Sequence, residues 1–290
     1  MRGFVSTQVL IYNPELLAKA GVAPPSIDPA QRITWEKLVS DARIVMQRTG
    51  VPDGIAWSQG QGYYQLQEII MSAGGGTGLE GPGNMQPKVE TPAWKKAMTW
   101  YGGLFRAGIS PRGVPFTQMD TLFTGGKAPY LVTTTDRVRQ FTTQNLPFGV
   151  AALPMFAGGK AVTACDSFAV GISPFSAHQV QALDFIKWLS TTREGGLAAA
   201  AKSPNVPANL LVLDEVNQTM EAARPNLAGL AKLIRYETTT TCVHRPRSLG
   251  YIQFETAFNE ADADIVNGED AGKRLDLMQS RLETTFSRMR

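Results

Sequence analysis

Between residues 117 and 191 the chain switches repeatedly between two hydrophobic periods, and no other feature restricts the possible folds so strongly. TQMDTLFTGG has helical spacing, APYLVTT reads as a strand and DRVRQFTTQN as a helix. FGVAALP and SFAVGIS read as strands, and AHQVQALDFIKWLST as an amphipathic helix. Strands alternating with helices in this way predict an α/β architecture, with helices laid against a sheet.

The flanking segments extend the pattern. VSTQVLIYN (residues 5–13) reads as a buried strand ended by Asn-Pro, Pro14 suits a first helical turn, and Gly21 stops that helix. TWEKLVSDARIVMQRTG is a predicted helix with Thr34 as its cap and Trp35, Leu38, Ala42, Val45 and Met46 at helical spacing. IAWS (residues 55–58) is a short strand, QGQGYYQLQEIIMSAGGG a loop running into a helix, and TPAWKKAMTWYGGLFRAG a helix capped by Thr91. GLEGPGNMQPKVE is all turn chemistry. The segments LDEVNQTMEAA, LAGLAKLIR, LGYIQFETAFNEADADIVNG and EDAGKRLDLMQSRLETTFSRM predict a helical tail wrapped around the α/β body.

The 290 residues suffice for one large domain or two ordinary ones, and 43% hydrophobic with 18% charged residues is the balance of a globular protein. A net charge of +3, with no basic run longer than VHRPR (residues 243–247), gives no footprint for a nucleic acid. No apolar stretch approaches the ~18 residues of a membrane-spanning helix. No basic-then-apolar leader precedes Val5, so the residues alone read as a cytoplasmic chain that begins abruptly. Cys165 and Cys242 leave two readings open. Two buried free thiols are the plainer expectation; a disulfide would imply an oxidising compartment. With two histidines, His178 and His244, no zinc spacing exists, and neither a metal site nor a cofactor is expected.

Catalytic motifs fail on context. GTGLEG (residues 76–81) matches G-x-G-x-x-G, yet a helix precedes it and GPGNMQP follows, so it reads as a flexible surface loop and not a dinucleotide turn. Asp166-Ser167 lacks the G-x-S-x-G elbow, and His178 stands at a helix start that reads as exposed. No spacing selects a pair of carboxylates for glycoside chemistry. None of these motifs carries an enzyme signature, so no enzyme is expected; a carbohydrate-active enzyme of unrecognised type and a stand-alone interaction module stay as competing readings.

Five stretches, in order, resemble one family. YNPELLAKAG with TWEKLVSDA is similar to the opening block of family 1 extracellular solute-binding proteins, the receptors of ABC importers for sugars and polyols. LFTGGKAPYLVTTTD, FGVAALPMFAGG, SFAVGISPFSAHQVQALDFIKWLST and the stretch from RPRSLGY onward resemble its later blocks, and QGYYQLQE and TTTDRVRQF lean toward glycerol-3-phosphate and oligosaccharide receptors. The resemblance implies a type II periplasmic-binding-protein-like fold, two lobes joined by a hinge with the first lobe incomplete. Residues 1–10 would form a hinge strand, 11–164 the second lobe, 165–213 a crossing strand with a fragment of the first lobe, and 214–290 the closing helices of the second lobe. Phe185, Ile186, Trp188 and Leu189 would then lie on an uncovered helix face.

The implied partners are a carbohydrate or polyol phosphate and the membrane permease of an ABC importer, with no nucleic acid. The implied location of the full-length form is periplasmic or lipid-anchored extracellular. Mapped by position, the ligand residues implied are Trp57, Tyr63 and Tyr64 as aromatics, one of the two tyrosines packing inward, and Glu68 as a carboxylate. Thr133, Thr134, Thr135 and Asp136 would form a loop of hydroxyls and free amides, with Asp136 standing where maltose receptors carry an aromatic. Asp166 and Ser167 would sit at the crossing, and Arg245, Arg247 and Tyr251 in the loop before a long helix. The same mapping puts Cys165 and Cys242 near the hinge.

Overall fold

β1 (Arg2–Tyr12) is rich in β-branched residues and long enough to serve two sets of neighbours. A computed structural model describes residues 2–58, 62–201, 203 and 205–289. The other strands are β2 (Ile55–Trp57), β3 (Leu79–Glu80), β4 (Gln86–Pro87), β5 (Tyr130–Thr134), β6 (Gly149–Ala151), β7 (Thr163–Ala169), β8 (Val206–Pro207) and β9 (Cys242–Val243). Seven of them form a mixed sheet in the order β2-β5-β1-β7-β9, with β6 and β8 also pairing with β1. Residues 8–12 of β1 pair antiparallel with β5, and residues 10–12 with β6. Its earlier half pairs with β7 and β8 instead, so β1 changes partners between Thr7 and Gln8.

The helices are α1 (Pro14–Ala20), α2 (Trp35–Thr49), α3 (Tyr63–Ser72), α4 (Pro92–Arg106), α5 (Phe116–Thr124), α6 (Thr135–Thr143), α7 (Gln179–Thr191), α8 (Arg193–Ala201), α9 (Leu210–Ala223), α10 (Leu230–Tyr236), α11 (Tyr251–Val266) and α12 (Ala271–Ser287). Thr34 and Thr91 cap α2 and α4 as predicted, and Asn13, read from the sequence only as a strand end, caps α1 as well. The Asn13 side chain accepts from the amides of Glu15 and Leu16, Thr34 accepts from Lys37 at 3.1 Å, and Thr91 accepts from Trp94. Gly21, at φ 64°, closes α1 in the left-handed conformation that a side chain disfavours.

Strand alternation divides the core between the two faces of the sheet. Leu10, Trp57, Tyr130, Val132 and Ala151 face a layer built from α1, α2, α3, α4, α11 and α12. Val9, Ile11, Ala56, Leu131 and Val150 face a second layer from α5, α6, α9 and α10. Trp35, fully buried, anchors the first layer by stacking on Trp57 at 5.5 Å and tilting against Trp100 at 5.6 Å.

Several expectations are corrected. GTGLEG is not a flexible surface loop. Leu79 is buried, the segment pairs as the β3–β4 hairpin, and Gly78 packs so closely on Trp94 that a Cβ would stand 2.5 Å from its ring. The strand expected at SFAVGIS begins earlier, at Thr163, because its first half is buried against β1 and β9 while residues past Ala169 leave the sheet. Thr133 to Asp136 form no loop: β5 runs straight into α6, with Thr134 as the N-cap position. Cys165 and Cys242 are not free thiols but a disulfide, their Cα atoms 5.3 Å apart, since β7 and β9 are neighbouring parallel strands. On α7 the apolar face is only partly open. Phe185 is 57% exposed, but Ile186 is buried and Trp188 and Leu189 are half-buried.

Candidate functional site

The register of β7 on β1 sets Ser6 opposite Asp166 and Val5 opposite Ser167. Beside them, the junction of β5 with α6 brings Thr134 and Asp136, and the first turn of α3 brings Tyr64. The disulfide ties β9 to β7, and three residues beyond Cys242 the chain delivers Arg245 back onto Asp166. These residues line two adjoining hollows that share Asp166, Ser167 and Arg245. One, of about 280 Å³, is walled by Ser6, Tyr64, Thr134, Asp136, Phe168 and Asn205. The other, of about 570 Å³, is walled by His244, Arg247, Ser248 and Tyr251.

Arg245 is the hub of the charge arrangement. Its guanidinium pairs with the Asp166 carboxylate and lies 3.7 Å from that of Glu255. It also sits over two aromatic faces, Tyr64 at 5.7 Å and Tyr251 at 5.5 Å. The Tyr251 hydroxyl donates to Glu255 at 2.8 Å, and burial followed by that bond raises its pKa, so it stays a donor. The Asp166 carboxylate accepts from the Ser167 amide at 2.8 Å, which fixes its rotamer. Asp136 is held by the Thr134 hydroxyl and, at 2.7 Å, by Arg137. Among the described residues no side chain caps the start of α6, which begins beside Thr134 on the cleft wall.

A buried ion pair stands at the start of β7. Arg32 and Glu237, with side chains 3% and 0% exposed, pair at 2.7 Å. Glu237 also accepts from Thr163 at 2.6 Å and from Thr241, so one buried carboxylate joins the base of β7 to the turn before β9.

Seven of the residues implied by position meet at this cleft: Tyr64, Thr134, Asp136, Asp166, Ser167, Arg245 and Tyr251. Arg247 joins them on the outer wall, exposed. The other five lie elsewhere. Trp57 is 2% exposed, packed between Trp35 and an edge-on Tyr101. Tyr63 is fully buried, its hydroxyl donating to the Thr77 carbonyl at 2.7 Å and its ring stacked near Trp94. Glu68 is buried and accepts from Gln8 at 3.2 Å, and burial holds its carboxyl well above the usual carboxylate range. Thr133 faces away because it stands opposite Val9, on the α5 and α6 side, while Thr135 accepts from the Thr7 amide. Helical phase explains the loss of Tyr63 and Glu68: both point into the first core layer. Sequence reasoning missed Ser6, Phe168, Asn205, His244, Ser248 and Glu255. Only Phe168 carried a signal, as an aromatic one residue after a singled-out pair.

Comparison with known proteins adds an independent line. A family model described as "Bacterial extracellular solute-binding protein" matches residues 3–195. A "probable ABC transporter-binding protein" of Deinococcus radiodurans is 24% identical over 300 residues, covering 97% of this chain and 67% of its own length. Maltose-bound MalE3 of T. maritima superposes with a TM-score of 0.81 at 20% identity, covering 98% of this chain and 72% of that one. An ABC substrate-binding protein of Listeria monocytogenes in complex with cycloalternan gives 0.81 at 18% identity, covering 99% and 71%. The GacH receptor of Streptomyces glaucescens, solved unliganded and with acarbose, gives 0.76 at 18%, covering 99% and 70%. At these identities the structural likeness speaks for the fold.

Proposed function

The chain belongs to the bacterial extracellular solute-binding protein family, and on that premise we propose that it is the receptor of an ABC importer for a neutral saccharide, bound at the cleft around Arg245. Family members are binding proteins, and the reading here is capture and release without covalent change, outside the cytoplasm and in partnership with a membrane permease. The resemblance of the fold to saccharide-bound receptors supports the ligand class.

The observation that carries the choice of a neutral ligand is the saturation of Arg245. Its guanidinium already faces Asp166 and Glu255, and Asp136 adds a third carboxylate to the cleft walls. A phosphate ester would have to displace one carboxylate and approach the others, at an unfavourable Coulomb cost. Hydroxyls suit the same groups well: carboxylates accept from them, while Arg245 and Thr134 donate. Tyr64, Tyr251 and Phe168 offer apolar faces to sugar C–H surfaces. The change of partners along β1 supports β1 and β7 as the strands about which the cleft closes.

Isothermal titration with maltose, maltotriose, trehalose and glycerol 3-phosphate tests the reading. One of the neutral saccharides should bind, and Arg245→Ala should weaken it at least tenfold. Binding of glycerol 3-phosphate alone would overturn the choice of ligand class, and saccharide binding indifferent to Arg245→Ala would move the site elsewhere.

A further inference from the structure

A second cavity, of about 530 Å³, shares no lining residue with the cleft. It opens among α4, α5 and α11, and its walls include Trp57, Tyr101, Phe105, Met119, Asn259 and Asp262. Tyr101 stands edge-on to Trp57 at 5.3 Å and to Phe105 at 5.0 Å, so the aromatic wall is continuous.

Asp262 is out of place in that wall. The other core-facing residues of α11 are Phe254, Ala257, Phe258, Ala261 and Ile265, all apolar. At 3% exposure, Asp262 replaces what the helix pattern calls for with a carboxyl group, and its Oδ1 has no hydrogen-bond partner among the described residues. A carboxyl left in this state costs free energy that an apolar side chain would avoid. Trp57 Nε1, on the same cavity, is likewise buried without a partner among the described residues. Burial pushes the Asp262 carboxyl up to about 8, so a cation beside it would convert it readily to the anion. Among the described residues, no Lys, Arg or His lines the cavity.

Aromatic faces, one carboxyl group and no basic side chain form a consistent set, because ring quadrupoles and a carboxylate both attract positive charge. We propose that this cavity binds a small organic ammonium ion, its apolar body packed on Trp57, Tyr101 and Phe105 and its N–H groups donating to Asp262. A volume of this order admits a single-ring ligand and buries most of its surface.

Calorimetric titration with phenethylamine and with 2-phenylethanol, which share a ring and differ in charge, decides the matter. The wild-type protein should bind phenethylamine at least tenfold more tightly than 2-phenylethanol, and Asp262→Asn should remove that preference. Ala263→Phe lines the cavity with a bulky ring while keeping Asp262, and should abolish binding of both; it carries the test if Asp262→Asn fails to fold. Arg245→Ala, in the cleft, should leave phenethylamine binding unchanged. Equal affinity for the two compounds, no heat from either, or phenethylamine binding that survives Ala263→Phe would each overturn the proposal.

Discussion

Breaking the Cys165–Cys242 disulfide should reveal how far the cleft depends on a covalent tie. The bridge spans a sequence separation of 77 residues and joins β7 to β9. In the chain-entropy treatment, closing a loop of that length removes about 4.5 kcal/mol of unfolded-state freedom. The Glu237 carboxylate, accepting from Thr163 and Thr241, is a second, non-covalent tie between β7 and the turn before β9. The paired registers of β9 with β7 are two, Thr163 with Cys242 and Ala164 with Val243. Asp166 follows one cysteine directly and Arg245 follows the other by three residues, so the same bond sets the spacing of the central ion pair. Urea unfolding followed by tryptophan fluorescence, with and without a phosphine reductant, measures the stability. The Cys165→Ala/Cys242→Ala double variant checks that the reductant acts only there. The expected loss is about 3 to 5 kcal/mol in both, together with weaker binding of whichever saccharide the cleft accepts. A loss under about 1 kcal/mol would refute the reasoning, since it would mean that β9 is held in place without the bond or that the unfolded chain gains nothing from its removal.

Two further outcomes follow from buried charge. Arg32→Ala should cost about 3 to 5 kcal/mol, because it strands the Glu237 carboxylate at 0% side-chain exposure; chemical denaturation at neutral pH measures it, and a loss below about 1 kcal/mol would show that water reaches the site. Asp262, raised to about 8 by burial, keeps its proton in the folded chain at pH values where the unfolded chain, near the ordinary 3.8, has released it. The native state therefore binds the extra proton, and stability should fall by about 1.4 kcal/mol per pH unit between roughly pH 5 and 7 on account of this group. Glu68 adds a slope of the same sign. Asp262→Asn should flatten the stability profile by one proton's worth, and an unchanged slope would mean that the carboxyl is ionised in the folded protein.

The elements that were legible in the sequence are those whose causes are local. Thr34 and Thr91 cap helices through amides three residues away, Gly21 turns left-handed where it stands, and the apolar spacing of α2 and α4 marks the face each buries. The turn-rich GLEGPGNMQPKVE showed the opposite. Its residues are right for turns, yet burial of Leu79 and the approach of Trp94 to Gly78 make it an anchored hairpin, a contact that no local pattern announces.

For the cleft, the chain order and the family resemblance brought the segments forward, and eight of the thirteen side chains they implied line the two hollows. Tyr63 and Tyr64 are neighbours with equal chemistry, and only the orientation of α3 sends one against Trp94 and the other under Arg245. Thr133 and Thr134 differ in the same way, divided by the alternation of β5 against β1. Residue types, caps and periodicity belong to the sequence alone, because they act over a few residues. Tertiary structure decided that Cys165 meets Cys242, that Asp166 meets Arg245 across 79 positions, and that Asp262 stands beside Trp57 in the wall of one cavity. Each of these depends on strand register and helix rotation, which are set by the packing of the whole core and not by the residues that end up in contact.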